Sequence, residues 1–415
     1  MFPLNFELDR SVSYFAFLRA NFRWLLAAYL LTFFSGFGQT YFISLFAGDI
    51  REEFGLSHGD VGGIYMLATL GSALALPWLG KLADDFSSSV TATGVMVGLT
   101  LACLGMALVP SVWALFVVIF ALRLFGQGMM THTALTAVSK WFSAQRGRAM
   151  SIAIMGFPSG EAILPVTFVA LSLVIGWRNS WFVAAGLMVL VALPLILFLL
   201  AKERTPSAAD NEARAAEGRQ WTRSEVLKDP VFWIISAGIL APPCFGTAIM
   251  FHQAYLVELK GWTKELFASA FIVMAVFSVA SSVLAGGLVD RYSARQLLAL
   301  TLMPLMLGCF ALASFTSPIV AFVYMGLLGM GNGFAATLIG ALWPEAYGTR
   351  HVGAIRAVAF ALMVFASAAG PGAMGWLIDA AVSYNVQVAG MGVYCLLMVF
   401  ALLQASVALR KRTLQ

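Results

Sequence analysis

The sequence predicts an all-α integral membrane protein with twelve transmembrane helices arranged as two six-helix bundles. Three observations carry that expectation. The 415 residues are 60% hydrophobic and only 11% charged, where a soluble domain carries about 25% charged residues. The apolar residues fall in blocks of roughly 20 or more, the length at which an α-helix crosses a bilayer. The basic residues gather in alternate connections between the blocks, which is the charge bias of a multi-pass chain.

The blocks lie at roughly 24–48, 60–79, 90–110, 113–140, 149–173 and 179–201, and again at 231–257, 265–287, 296–315, 318–342, 354–380 and 388–409. Residues 1–23 read as a cytoplasmic leader, because Glu7, Asp9, Arg10, Arg19 and Arg23 precede the first block without a small-residue cleavage site. Residues 202–229 are the one long polar stretch and read as a cytoplasmic linker between an N-terminal bundle, 24–201, and a C-terminal bundle, 230–409, with 410–415 as a cytoplasmic tail. An even number of spans puts both ends on one side. Twenty of the 25 Lys and Arg residues fall on that side, so the termini are expected in the cytoplasm. The net charge of +5 therefore speaks of topology and not of nucleic acid. Cys103, Cys244, Cys309 and Cys395 sit inside apolar blocks without metal-ligand spacing, as small packing residues.

The two bundles repeat each other. Gly80-Lys81-Leu82-Ala83-Asp84 matches Gly286-Gly287-Leu288-Val289-Asp290 at an offset of 206 residues, Gly126-Gln127-Gly128 matches Gly331-Asn332-Gly333 at 205, and Arg146 matches Arg350 at 204. Such agreement marks a duplicated six-helix unit.

Twelve spans in two parallel halves, a long central loop and a G-x-L-x-D loop after the second and eighth spans resemble the major facilitator superfamily of secondary transporters. That resemblance implies two bundles related by a pseudo-two-fold axis, a monomer working by alternating access, no enzyme activity and no cofactor beyond a proton gradient. It also implies that the G-x-L-x-D aspartates tie the halves together. The second copy, with Asp290 and Arg291, fits the family pattern; the first departs, because Asp85 stands where arginine is usual. Asp84 and Asp85 repel each other unless a cation is near. Arg146 and Arg148 in the first half, and Arg350 in the second, are the expected sources.

Two charges stand at membrane depth. Arg123 lies in the fourth span before Gly126-Gln127-Gly128, and Glu161 in the fifth within Gly156-Phe157-Pro158-Ser159-Gly160-Glu161. A charge there is costly, by about 2.5–3.5 kcal/mol on insertion scales, and marks a functional site by default. Counting ~1.5 Å per residue from the cytoplasmic ends puts the two within ~6 Å in depth, so a direct or water-bridged pair is expected. An arginine followed by glycines in the fourth span resembles a motif of proton-linked members of the family. Gln127, Met130 and Thr131 share the face of Arg123, whereas His132 falls about 180° away and reads as a packed histidine. Gln39, Thr40 and Tyr41 of the first span, His252, Gln253 and Tyr255 of the seventh and Asn332 of the tenth are further candidates to meet substrate and protons. Gly156, Pro158, Gly160 and Pro165, with Gly370-Pro371-Gly372, are expected to loosen the fifth and eleventh spans.

The expected function is proton-coupled transport of a small organic anion such as a monocarboxylate. Gly36 to Gln39 and Tyr347 to His351 resemble bacterial carriers near the monocarboxylate and oxalate/formate transporters, yet the eighth span lacks their charges, leaving Arg123 as the one deep cation. The alternative is a drug/proton antiporter in which Glu161 meets a cationic or lipophilic compound. A membrane-embedded enzyme would need a paired-carboxylate, metal or Ser/Lys constellation in the spans, which the sequence does not offer.

Overall fold

The computed structural model describes residues 14–80, 86–142, 146–202, 204, 221–348 and 352–413, and the regular structure there is helical. Ten helices among the described residues are long and apolar enough to cross a membrane. One of them, Arg148–Leu200, has 53 residues, so at ~1.5 Å per residue it would be far longer than the ~30 Å hydrocarbon core. Gly176, at φ 79° and ψ 166°, breaks it, and the two pieces are the fifth and sixth spans. Phe17–Gly38 and Thr40–Phe54, bent by 42°, together form the first. With these two readings the spans number twelve.

Local chemistry sets where helices begin and end. Ser57 and Asp60 form a capping box at the start of the second span, His58–Leu79, and Ser87, Ser111, Asp229 and Thr263 cap four more helices. Each satisfies an amide that the helix leaves open. Within the expected linker, Thr222 and Glu225 form a second capping box on the short helix Arg223–Lys228. Gly55 at φ 63° and Gly261 at φ 65° end the first and seventh spans in the left-handed conformation that favours glycine. They are separated by 206 residues, the offset of the repeat. Pro165 and Pro371, each inside a helix, share that offset.

The two halves meet where backbone touches backbone. The second span and the eleventh, Val352–Asp379, lie along one another, and a Cβ on Gly62 would stand 2.6 Å from the Pro371 carbonyl oxygen. Gly375 abuts the His58 carbonyl in the same seam. The fifth span packs against the eighth, Lys264–Tyr292. Within the halves, Gly156 abuts Thr32 and the Tyr29 carbonyl, and Gly370 abuts the Cys244 carbonyl. Small residues permit such close contact between helices. Helix Gly156–Leu187 runs through Pro165 and departs from helical geometry at Gly176.

Lys260, expected in an outer loop, is buried and donates to the carbonyls of Leu312 (2.8 Å) and Phe315 (3.1 Å) and to Asn385 Oδ1 (3.0 Å). It ties the seventh, ninth and twelfth spans. Burial pulls its pKa below the usual lysine value.

A membrane site around the broken first span

The first span is interrupted in its middle. Ser35–Gly38 is a 3-10 turn, Gln39 is extended at φ −84° and ψ 155°, and helix resumes at Thr40. The amide of Phe42 bonds to the Gln39 carbonyl, so the Gly38 carbonyl receives no bond from it. Irregular backbone at membrane depth persists only when such groups find partners inside the protein. Arg123 supplies one: Nη1 donates to the Gly38 carbonyl (3.2 Å) and to Thr40 Oγ1 (3.3 Å). The guanidinium carbon lies 5.2 Å from the centre of the Tyr65 ring, and the Tyr65 hydroxyl is 2.6 Å from Thr40 Oγ1. Arg123 is 2% exposed. A buried cation, a carbonyl, a hydroxyl and an aromatic face thus staple the break.

The glycine after Arg123 serves the same crossing. A Cβ on Gly126 would stand 2.6 Å from Gly38 Cα, so the first and fourth spans touch there backbone to backbone. The stretch Arg123–Met130 is wound as a π-helix between the α-helices Val112–Leu122 and Thr131–Trp141, a wide turn that often accompanies functional sites. Arg123 Nε, Gln127 Oε1 and Thr131 Oγ1 are buried with no hydrogen-bond partner among the described residues. Three unmet polar atoms four residues apart form one stripe.

Glu161 stands elsewhere. It is half-buried and has no ion pair or side-chain hydrogen bond among the described residues; the expected pair with Arg123 is not formed. Arg123 meets the first span at Thr40, while Gly160, the residue before Glu161, meets it at Tyr41, whose hydroxyl lies 2.9 Å from where a Cβ on Gly160 would be. The depth estimate placed the two at similar levels but could not show that a third helix meets both. Pro165, lacking an N–H, cannot donate to the Glu161 carbonyl four residues earlier.

The remaining candidates separate. Gln253 is buried, and its Nε2 donates to Ser44 Oγ (2.7 Å) and the Tyr41 carbonyl (3.4 Å), joining the seventh span to the first. His252 Nε2 is 2.9 Å from the Pro371 carbonyl, and its ring is 5.9 Å from that of His58. The His58 ring is 4.6 Å from that of Tyr255. His58, His252 and Tyr255 line a cleft of about 660 Å³ together with Asp49, Arg51 and Trp262, whereas Gln253 lies outside it. Gln39 is half-buried at the helix break, and Asn332 is exposed, without a side-chain hydrogen bond among the described residues. His132 contacts the Gly80 carbonyl at 3.2 Å, on the second span at the start of the G-x-L-x-D loop.

Of the gating candidates, Asp84, Asp85 and Arg350 lie outside the described residues, as do the side chains of Arg146 and Asp290. Arg148 is exposed, and Arg291 is exposed with its guanidinium 5.2 Å from the centre of the Tyr292 ring. In the second half the loop is held by Glu345, which pairs with Arg295 at 2.6 Å and accepts the Ala294 amide at 2.9 Å. Sequence reasoning missed Glu345, Tyr65 and Asp379. Tyr65 and Thr69, four residues apart in an apolar block, were the legible sign of a polar face; nothing local pointed to Asp379.

Comparisons with known proteins agree with this architecture. The Major Facilitator Superfamily profile matches residues 28–371 and 261–414. A multi-drug resistance efflux pump PmrA homolog of Lactococcus lactis subsp. lactis (strain IL1403) is 25% identical over 378 residues, which are 88% of this chain and 90% of that protein. A bacterial homolog to the human lysosomal transporter Spinster, solved in an inward-facing and occupied conformation, aligns with a TM-score of 0.66 at 19% identity over 94% of this chain and 93% of that one. The nucleoside transporter NupG aligns with a TM-score of 0.62 at 15% identity over 94% of this chain and 99% of that one. The helical membrane architecture and the profile match across the chain lead to one conclusion: this protein belongs to the Major Facilitator Superfamily, and is a multi-pass membrane transporter rather than an enzyme.

Proposed function

We propose that this transporter exchanges protons for cationic or lipophilic compounds, with Glu161 as the group that carries the proton. The observation behind this reading is the separation of the two deep charges. Arg123 is buried and engaged by the Gly38 carbonyl, Thr40 and the Tyr65 ring, which leaves little of it for a substrate anion. Glu161 is half-buried and unpaired among the described residues, as a carboxylate must be if it is to meet a cation and a proton in turn. The efflux pump among the relatives supports the same direction. With the termini in the cytoplasm, as the charge bias expects, the Tyr41, Gln253 and Asp379 contacts lie at the outer end, so this conformation is closed to the outside. Asp84, Asp85, Arg146, Arg148, Asp290, Arg291 and Arg350 are proposed to act at the opposite gate. The carrier is proposed to work as a monomer in a bacterial inner membrane.

Symport of a small organic anion is the second reading. It is favoured by the unmet stripe of Arg123 Nε, Gln127 Oε1 and Thr131 Oγ1, which offers two donors to a polar guest. One experiment separates the two. Proton movement through purified protein in proteoliposomes is followed on adding monocarboxylates, dicarboxylates or lipophilic cations, with Glu161→Gln and Arg123→Ala alongside. Proton flux driven by cations and abolished in Glu161→Gln supports exchange; flux driven by an acid and abolished in Arg123→Ala supports symport. Flux that survives both substitutions rejects both assignments.

A further inference from the structure

Asp379 is the last residue of the eleventh span, yet its carboxylate is spent on another helix in the other half. Oδ1 accepts the His58 amide at 3.1 Å and Oδ2 the Gly59 amide at 2.7 Å. These are the first two amides of the second span, His58–Leu79. A helix start leaves such donors open and carries the positive end of the helix dipole, so a carboxylate there is held by hydrogen bonds and by charge together. The second span already has its own cap in Ser57, which takes the Asp60 amide. Asp379 therefore adds a cap from across the interface.

The surroundings are built for this approach. A Cβ on Gly59 would stand 2.5 Å from Asp379 Oδ2 and 2.6 Å from Trp376 Cδ1, and one on Gly372 would stand 3.0 Å from the Met66 sulfur. Asp379 is itself exposed, but it makes two short charge-assisted bonds across the interface, whereas Gln253 to Ser44 is a neutral bond and Lys264 to Asp49 stands at 3.7 Å. We infer that Asp379 is the positioning residue of transport at this end: its bond to the second span's amides is the latch that holds the halves together and must release for the opposite conformation to form. A bond between helices of different halves exists only while they touch, so its strength enters the equilibrium between the two conformations directly.

The test measures that equilibrium in the full-length protein. Spin labels are placed by Glu52→Cys and Glu258→Cys, both exposed at this end, with the unsubstituted protein as the control for native cysteines. Distances are read by pulsed electron spin resonance in lipid nanodiscs. Asp379→Ala removes both bonds and is expected to raise the ratio of long to short separations about fivefold, the typical effect of losing a helix-capping side chain, and Asp379→Glu to restore part of the short population. Gly59→Ala leaves the carboxylate intact and crowds it, and is expected to shift the distances in the same direction, which covers the case in which Asp379→Ala fails to fold. Distances identical to the parent in Gly59→Ala and in any folded Asp379 variant, even with lowered thermal stability, would show a merely structural cap and overturn the assignment.

Discussion

The two halves place the same backbone feature at the same depth and use it in opposite ways. Pro165 in the fifth span and Pro371 in the eleventh are 206 residues apart, and each withholds a hydrogen bond from the carbonyl four residues earlier. In the second half that carbonyl belongs to Ser367 and faces the Thr247 hydroxyl at 3.1 Å, whose single proton it shares with the Pro243 carbonyl. In the first half it belongs to Glu161, and the residue at the position of Thr247 is Tyr41, whose hydroxyl lies beside Gly160. One half sets a neutral hydroxyl against its proline gap; the other carries at the same position an ionisable side chain, Glu161, without a partner among the described residues. At equivalent positions of the duplicated scaffold, one half thus carries neutral groups and the other an ionisable one.

The largest effect expected from this difference is functional. Glu161→Gln should reduce substrate-driven proton flux in proteoliposomes to that of empty vesicles, whereas Ser367→Ala, which removes only a hydroxyl bonded to the Val364 carbonyl, should leave coupling intact. Equal losses in both would end the idea that the halves have divided their roles.

Next in size is the staple. Arg123→Met should cost about 2–3 kcal/mol of stability, because a charged donor is withdrawn from the buried Gly38 carbonyl. The measurement is the thermal unfolding midpoint in detergent, and an unchanged value would show that the helix break does not depend on Arg123.

The paired glycines offer a finer comparison. Gly126 and Gly331 match in sequence, but a Cβ on Gly126 would stand 2.6 Å from Gly38 Cα, while one on Gly331 would find nothing nearer than the Thr301 carbonyl oxygen at 3.7 Å. Gly126→Ala should therefore lose about 1–3 kcal/mol through overpacking, and Gly331→Ala should be neutral or gain up to about 1 kcal/mol of helix propensity. Thermal unfolding of the two variants side by side decides the point; similar losses would mean that the tenth span is also a backbone crossing at Gly331.

The smallest effect belongs to Thr247→Val, which removes the donor to the Ser367 carbonyl and should cost about 1 kcal/mol with transport retained. A transport defect larger than the stability loss would move Thr247 into the substrate path.

The twelve spans were legible because burial in lipid demands long apolar blocks and interior partners for every backbone group, and both demands leave their mark residue by residue. The duplication was legible at Gly80 and Gly126, and the left-handed helix ends at Gly55 and Gly261 and the in-helix prolines Pro165 and Pro371 extend it. Arg123 and Glu161 stood out because charge in an apolar block is rare. Their pairing was not legible: depth along a helix follows from the rise per residue, but which neighbour stands beside a side chain depends on the rotation and packing of other helices. His132 could be set apart from the face of Arg123 by its angle on the wheel, and its contact with the Gly80 carbonyl needed the second span in place.

The sequence by itself determined a polytopic, duplicated helical protein with two charges at membrane depth, since length, composition and periodicity are local properties of the chain. Only the tertiary structure decided that the first span breaks at Gln39 and that Arg123 Nη1 bridges that break. It also decided that Glu161 stands unpaired among the described residues, and that Asp379 reaches across to the start of the second span. Each of these is a contact between helices remote in sequence, and it is fixed by which backbones the glycines allow to touch.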